Sequence, residues 1–409
     1  MTGTPSSVFR RWSVPALLVA VAVGAAGCSE KLLTPVNCPE LCPGGQIIVY
    51  DTVLNPIPGS DTSFAGYVTA NQATGFLVSN NLPAADARGF VRFIRRSDSV
   101  FVQDTARTYT IDSVAISLTI DARDSLQPGL ALLLYKLPPT VDSAATFAEI
   151  NAALTPDAFI DSVEVPDTLH TGAVKALLSG ETLARVALTP ADSGVLRLGV
   201  ALAAPAATGV RILTIRAGTG APTFQTYVHA AVTDTALQQV TITRVPNYNS
   251  YVTAVPFPVP TPTTLLVGGA PSARALMRFE WPSVLKDTAE IIRATLEMVP
   301  VSEVTGLANV SSTIVAQGVL VDLGAKSPLI SDVSSSHTFS VPTSAPMPIE
   351  VLRTVQLWQG QAGRPPAFFV WLSPEASSFS APVFGSTATP ASQPRLRITY
   401  VRPYQFALP

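Results

Sequence analysis

The hexapeptide Arg88-Gly-Phe-Val-Arg-Phe93 returns as Arg274-Ala-Leu-Met-Arg-Phe279, and the surroundings of each return with it. Gly75-Phe-Leu-Val78 precedes the first, and Thr264-Leu-Leu-Val267 precedes the second. An alternating segment comes after each, with Val114, Ile116, Leu118 and Ile120 in one and Ile292, Ala294, Leu296 and Met298 in the other. Both stretches close on Thr-Tyr-Val, at 226–228 and 399–401, while the offset between landmarks drifts from 189 to 173 residues. Landmarks that keep their order while their spacing drifts describe two copies of one domain with insertions in the loops. The expected limits are 46–235 for the first domain and 241–403 for the second.

The local pattern is that of strands. Ile116-Ser-Leu-Thr-Ile120 and Leu396-Arg-Ile-Thr-Tyr400 alternate apolar with polar residues, which sends one face inward and the other outward. The continuous apolar run Leu130-Ala-Leu-Leu-Leu-Tyr135 reads as a strand covered on both sides. Short helices are expected over 144–154, where Phe147, Ile150 and Leu154 share a face, and over 349–358, where Val351, Val355 and Trp358 do. With 36 prolines and 25 glycines between many short strands, the expected class is all-β, two tandem β-sandwich domains. The stretch Val255-Pro-Phe-Pro-Val-Pro-Thr-Pro262 reads as a stiff loop or edge segment, because proline cannot donate into a ladder. A transmembrane barrel fits poorly despite a mean hydropathy of +0.35, since barrel strands alternate over about 10 residues at a time.

Ahead of the repeats, Arg10 and Arg11 precede a small apolar run from Val14 to Gly27, and Ala25-Ala26-Gly27 leads into Cys28. A basic start, a short apolar run and small residues before a cut describe a secretory signal. The run of 14 residues is shorter than the roughly 20 needed to span a bilayer. A cysteine directly after the cut resembles the lipobox of bacterial lipoproteins, and that resemblance implies a signal peptide over 1–27 and a lipid on Cys28. An uncleaved anchor or plain secretion is the competing expectation. Ser29 is not the Asp that holds lipoproteins at the inner membrane of well-studied Gram-negative cells, so an outer-membrane location is expected. Residues 28–45, with Pro35, Pro39, Pro43 and Gly44-Gly45, read as a tether. Within it Cys38 and Cys42 are expected to form a small disulfide in an oxidising compartment, the alternatives being two free thiols or half a metal site.

Composition removes several functions. Charged residues are 13% of the chain, about half the usual fraction of roughly 25%. With a net charge of −2 and no block of like charge, nothing attracts a phosphate backbone, so no nucleic-acid partner is expected. There is no Gly-x-Ser-x-Gly elbow, His-Glu-x-x-His helix, phosphate loop or EF-hand loop, and no histidine is flanked by an acid. Asp121 and Asp124 read as a turn or a structural cation loop, and Asp161, Glu164 and Asp167 as the wet side of a segment near a sheet edge. No enzyme activity and no cofactor are expected.

The second copy carries a family pattern. Arg274-Ala-Leu-Met-Arg-Phe279, Ile291-Ile-Arg-Ala-Thr-Leu296, Ile349-Glu-Val-Leu-Arg-Thr-Val-Gln-Leu-Trp358 and Pro394-Arg-Leu-Arg-Ile-Thr-Tyr400 together resemble the DNRLRE, or disaggregatase-related, domain. That family is similar to carbohydrate-binding modules that include alginate binders. The likeness covers about 245–402. It implies a jelly-roll type of sandwich in a surface-attached, polysaccharide-associated protein, with motif residues that are structural.

Sugar binding needs aromatic faces and orienting polar groups. Tyr248 and Tyr251, in the polar segment Asn247-Tyr-Asn-Ser-Tyr251, are the first candidates, and Trp281 and Trp358 read as core. Arg274 and Arg278 lie in phase on one strand, and with Arg293 they could bind the carboxylates of an acidic polysaccharide. The other reading of such arginines is solvation of a sheet face. The expected function is therefore a non-catalytic envelope lipoprotein, joined to the membrane through Cys28, whose partner is an acidic polysaccharide or an envelope protein, with a polysaccharide-degrading hydrolase built on the scattered carboxylates as the last-ranked alternative.

Overall fold

A computed structural model describes residues 48–232, 236–361 and 363–402. Cys28, Cys38, Cys42 and the signal segment lie outside the described residues. Among those described, no helix is long and apolar enough to cross a membrane.

The described chain is all-β, built as two β-sandwiches. One sheet of the first holds β3 (Gly75–Asn80), β7 (Tyr109–Arg123), β10 (Gly172–Ser179), β12 (Thr208–Leu213), β13 (Thr223–Ala231) and β14 (Leu237–Arg244). Strands β12 and β13 run end to end along one edge of β7, and β10 pairs with the other edge. The facing sheet runs in the order β15 (Pro246–Thr253), β4 (Ala87–Phe93), β11 (Arg197–Ala203), β8 (Leu130–Lys136), β9 (Phe159–Val165). In the second sandwich, β1 (Val49–Leu54), β24 (Arg395–Val401), β18 (Glu290–Met298) and β21 (Met347–Glu350) form one sheet. The other sheet is β2 (Thr62–Ala65), β17 (Ala273–Arg278), β22 (Ala367–Ser373), β19 (Ser311–Val319), β20 (Leu329–Ser340). Two short pairs complete the set, β16 (Thr264–Leu266) with β23 (Val383–Gly385) and the hairpin β5 (Val100–Val102) with β6 (Thr105–Arg107).

Both sandwiches share one connection plan, a jelly roll. The order β4-β11-β8-β9 in the first corresponds to β17-β22-β19-β20 in the second, and β13-β7-β10 corresponds to β24-β18-β21. The sequence pattern sets which face turns inward. Val114, Ile116, Leu118 and Ile120 are all buried in one core, and β24 alternates as strictly, with Leu396, Ile398 and Tyr400 buried in the other.

The expected domain limits do not coincide with the sheets. Strand β1 pairs with β24 from Val49 opposite Val401 to Leu54 opposite Leu396, and β2 pairs with β17. Both lie at the start of the first repeat and complete the second sandwich. Conversely, β15 at the start of the second repeat pairs with β4, and β14 pairs with β13. Each repeat thus lends a two-strand arm to the other's sandwich. The physical reason is the open edge: β4, β17, β13 and β24 each present unpaired backbone groups that a further strand satisfies. The described residues from Val49 onward accordingly cluster as one compact unit.

Three local expectations change. In Leu130–Tyr135 only Leu130, Leu132 and Leu134 are fully buried, and the alternate residues are half-buried. Ile292 is exposed, because a bulge between Ile291 and Arg293 shifts the alternation of β18. Helix α1 (Phe147–Ala153) starts on a Thr146–Glu149 capping box and buries Ile150, close to the expected span. A five-residue helix, α2 (Ser283–Asp287), adds to the two expected, and α3 (Leu352–Gly360) starts late because β21 takes residues 347–350. The proline-rich 254–260 stretch is a loop that buries Phe257.

Candidate functional site

Strand β17 carries Arg274, Leu276 and Arg278 on its outer face, as the alternation requires, and both arginines are already engaged. Arg274 donates from Nε and Nη2 to the two carboxylate oxygens of Glu375, at 3.0 and 2.7 Å. Its guanidinium lies over Tyr67 and Trp371, 4.4 and 5.1 Å from the ring centroids. Arg278 donates twice to Asp322 and once to the Ser60 carbonyl. Hydrogen bonding within this pair raises the Arg278 pKa and holds the Asp322 carboxyl below the usual carboxylate range. Arg293 pairs with Glu350 at the surface. The arrangement repeats on β4, where Arg88 meets Asp86 at 2.8 Å and Arg92 lies over Tyr248, 5.4 Å from its centroid.

The two tyrosines are not in a loop, and neither is hydrogen-bonded to or stacked against Arg274 or Arg278. They sit on β15, in the first sandwich, because the arm crosses over. Tyr248 packs on Phe90 and donates its hydroxyl to the Ser143 carbonyl at 3.2 Å. Tyr251 is 4% exposed, donates to the Ala376 carbonyl at 3.0 Å, and has its pKa pushed up by burial. It is a core residue joining the two sandwiches, which corrects its expected role as a ligand contact. Trp281 and Trp358 meet edge to face at 5.6 Å, Trp358 buried and Trp281 half-buried against the second core.

The acidic candidates are accounted for in the same way. Asp121 pairs with Arg211 at 2.6 Å, and Asp124 accepts from Leu126 N and from Asn309 Nδ2 at 2.9 and 3.1 Å. Asp161 and Glu164 lie on the edge strand β9, and Asp167 accepts from Gly129 N. Among the described residues no group of three His, Cys, Asp or Glu side chains is placed to hold a metal. His229 Nδ1 lies 2.6 Å from Asp112 Oδ2, and no hydroxyl or thiol among the described residues is hydrogen-bonded to that imidazole.

A different arginine has no carboxylate beside it among the described residues. Arg244, at the end of β14, is 3% exposed and lines a cavity of about 340 Å³ on the inner face of the β14-β13-β7 sheet. Its guanidinium stacks on Phe224 at 4.0 Å, and Nη2 donates to Thr226 Oγ1 at 3.0 Å. Nε and Nη1 have no acceptor among the described residues, and neither does Nε of Arg96, which also lines the cavity. Burial first, and the charge of Arg96 second, lower the Arg244 pKa to about 10, so the group remains a cation at neutral pH. The roof is the 3-10 helix Gly180–Val186 and the residues after it, which contribute Leu183, Val186 and Leu188. Nε and Nη1 point to opposite sides of the guanidinium, so each offers a carboxylate oxygen a single charge-assisted hydrogen bond in a largely apolar pocket. The sequence held one signal for it: Val240, Ile242 and Arg244 alternate in phase, so the arginine shares the inward face of its strand.

No family model and no curated protein matches this chain. Among solved structures it is similar to a chain of "Structure of infectious bursal disease virus Gt strain", at 10% identity over 91% of this chain and 81% of that one. The TM-score of that likeness is 0.13, too low to carry an argument.

Proposed function

We propose that this protein is a non-catalytic, lipid-anchored envelope protein that binds an acidic ligand in its first sandwich. The observation that carries the reading is Arg244, a buried cation with two donors free and no carboxylate beside it among the described residues. A lone buried charge is costly to a fold unless something compensates it, and a ligand's carboxylate would. The acidic polysaccharide implied by the DNRLRE resemblance has the right charge, but Arg274 and Arg278 are occupied by Glu375 and Asp322, so the place for an acidic group moves to Arg244. The anchor rests on Cys28 and the preceding signal pattern.

The test is the melting temperature of the full chain against a panel of uronic-acid oligosaccharides, aliphatic carboxylates and neutral glycans. At least one acid is expected to raise it, neutral glycans are not, and Arg244→Met is expected to abolish the shift. A panel in which no acid moves the melting temperature would overturn the reading.

A structural or adhesive role with protein partners is favoured by one further observation. The outer-face arginines of both repeats are spent on internal pairs and aromatic rings, which stiffen the sheets.

A further inference from the structure

The cavity wall is more selective than charge alone requires. Ile111, Val114, Leu183, Val186, Leu188 and Phe224 line it, while its cations, Arg96 and Arg244, are the charged residues of the lining. A hydrophilic anion would satisfy the guanidinium and leave that apolar surface unfilled. A neutral hydrocarbon would fill the surface and leave the unpartnered Nε and Nη1 of Arg244 and Nε of Arg96 unsatisfied. The ligand that answers both is amphipathic. A cavity of about 340 Å³ has room for an aliphatic chain beside a carboxylate.

Resting on the acidic-ligand reading above, we infer that the cavity binds an aliphatic monocarboxylic acid, with its carboxylate on the free donors of Arg244 and Arg96 and its chain among Leu183, Val186 and Phe224. Octanoate, an eight-carbon chain ending in one carboxylate, is the probe. The repeat structure places this site in one sandwich only. In the other arm the inward-facing residue at this place is Leu54, opposite the buried Leu396 as Arg244 is opposite the buried Phe224. Leu54 is apolar and packs against the second core, so no matching cation stands there.

The experiment is a calorimetric titration of the full chain with acetate, butanoate, hexanoate, octanoate and octanol at neutral pH. Affinity is expected to rise about fourfold with each methylene up to octanoate, and octanol is expected to bind at least about tenfold more weakly than octanoate. Arg244→Met is expected to lose octanoate binding without lowering the melting temperature of the unliganded protein, because an uncompensated buried charge has been removed. A second variant, Leu183→Gln, keeps the arginines and is expected to flatten the dependence on chain length. If acidic sugars or acetate bind but added methylenes bring no gain, the aliphatic assignment is overturned while the acidic-ligand reading stands. If no acid binds, both fail. Octanol binding as well as octanoate, or Arg244→Met melting lower yet still binding octanoate, would also overturn the assignment.

Discussion

Arg278 and Asp322 meet at the surface of β17 with side chains 26% and 29% exposed, so their ion pair is worth at most about 1 kcal/mol. The Asp322 carboxyl has a lowered pKa in the fold, caused first by its hydrogen bonds from Arg278. A lowered folded pKa stabilises the protein above the unfolded value, about 3.9 for Asp, and that contribution is lost as pH falls through the folded value. Asp322→Asn is therefore expected to lower stability by up to about 1 kcal/mol at pH 6, with the difference from the parent protein vanishing near pH 2. Urea denaturation at a series of pH values checks this, and a difference independent of pH would show that the pair contributes through packing alone. The in-phase arginines of β17 were legible from alternation, and so was their shared face. Their partners were not: Glu375 lies 101 residues from Arg274, and nothing in a strand's own pattern announces such a neighbour.

Elements meet across the two sandwiches through loops. Phe379, from the segment after β22, is buried against the first core, and it rests on Gly209 of β12. A Cβ built at Gly209 would lie 2.6 Å from the Phe379 ring, so any side chain there must displace the ring. Gly209→Ala is expected to destabilise the protein by about 1–3 kcal/mol through overpacking, read as a lowered urea midpoint, with Phe379→Leu restoring part of the loss. An unchanged midpoint would mean that the contact gives way freely. Element identity was the most readable level of the sequence, since period-two alternation shows itself locally. The bulge that exposes Ile292 was not readable, because one inserted residue reverses the faces of the rest of its strand without altering composition. Arg244 is hard to single out for a related reason: it shares a face with Val240 and Ile242, but the roof over it comes from residues 180–188, far away in sequence.

At the scale of the whole molecule, duplication and exchange are separate facts. The duplication is legible because its landmarks are core residues that recur in order. The exchange is not, because an edge strand accepts any partner whose alternation suits, and the two arms have equivalent positions in their repeats. Tyr251 to Ala376, Asn309 to Asp124 and Arg211 to Ser377 then tie the sandwiches together beyond the strand ladders. The reciprocal exchange makes the second sandwich depend on strands more than 200 positions away, and the first on β15, more than 150 positions from β4. Hydrogen exchange on the chain with residues 48–66 deleted reads this dependence directly. Loss of β1 and β2 is expected to raise amide exchange in Ala273–Arg278 and Arg395–Val401 while the ladder of β3 with β12 stays protected. Raised exchange confined to residues 75–231, with 273–278 and 395–401 unchanged, would contradict the exchanged architecture.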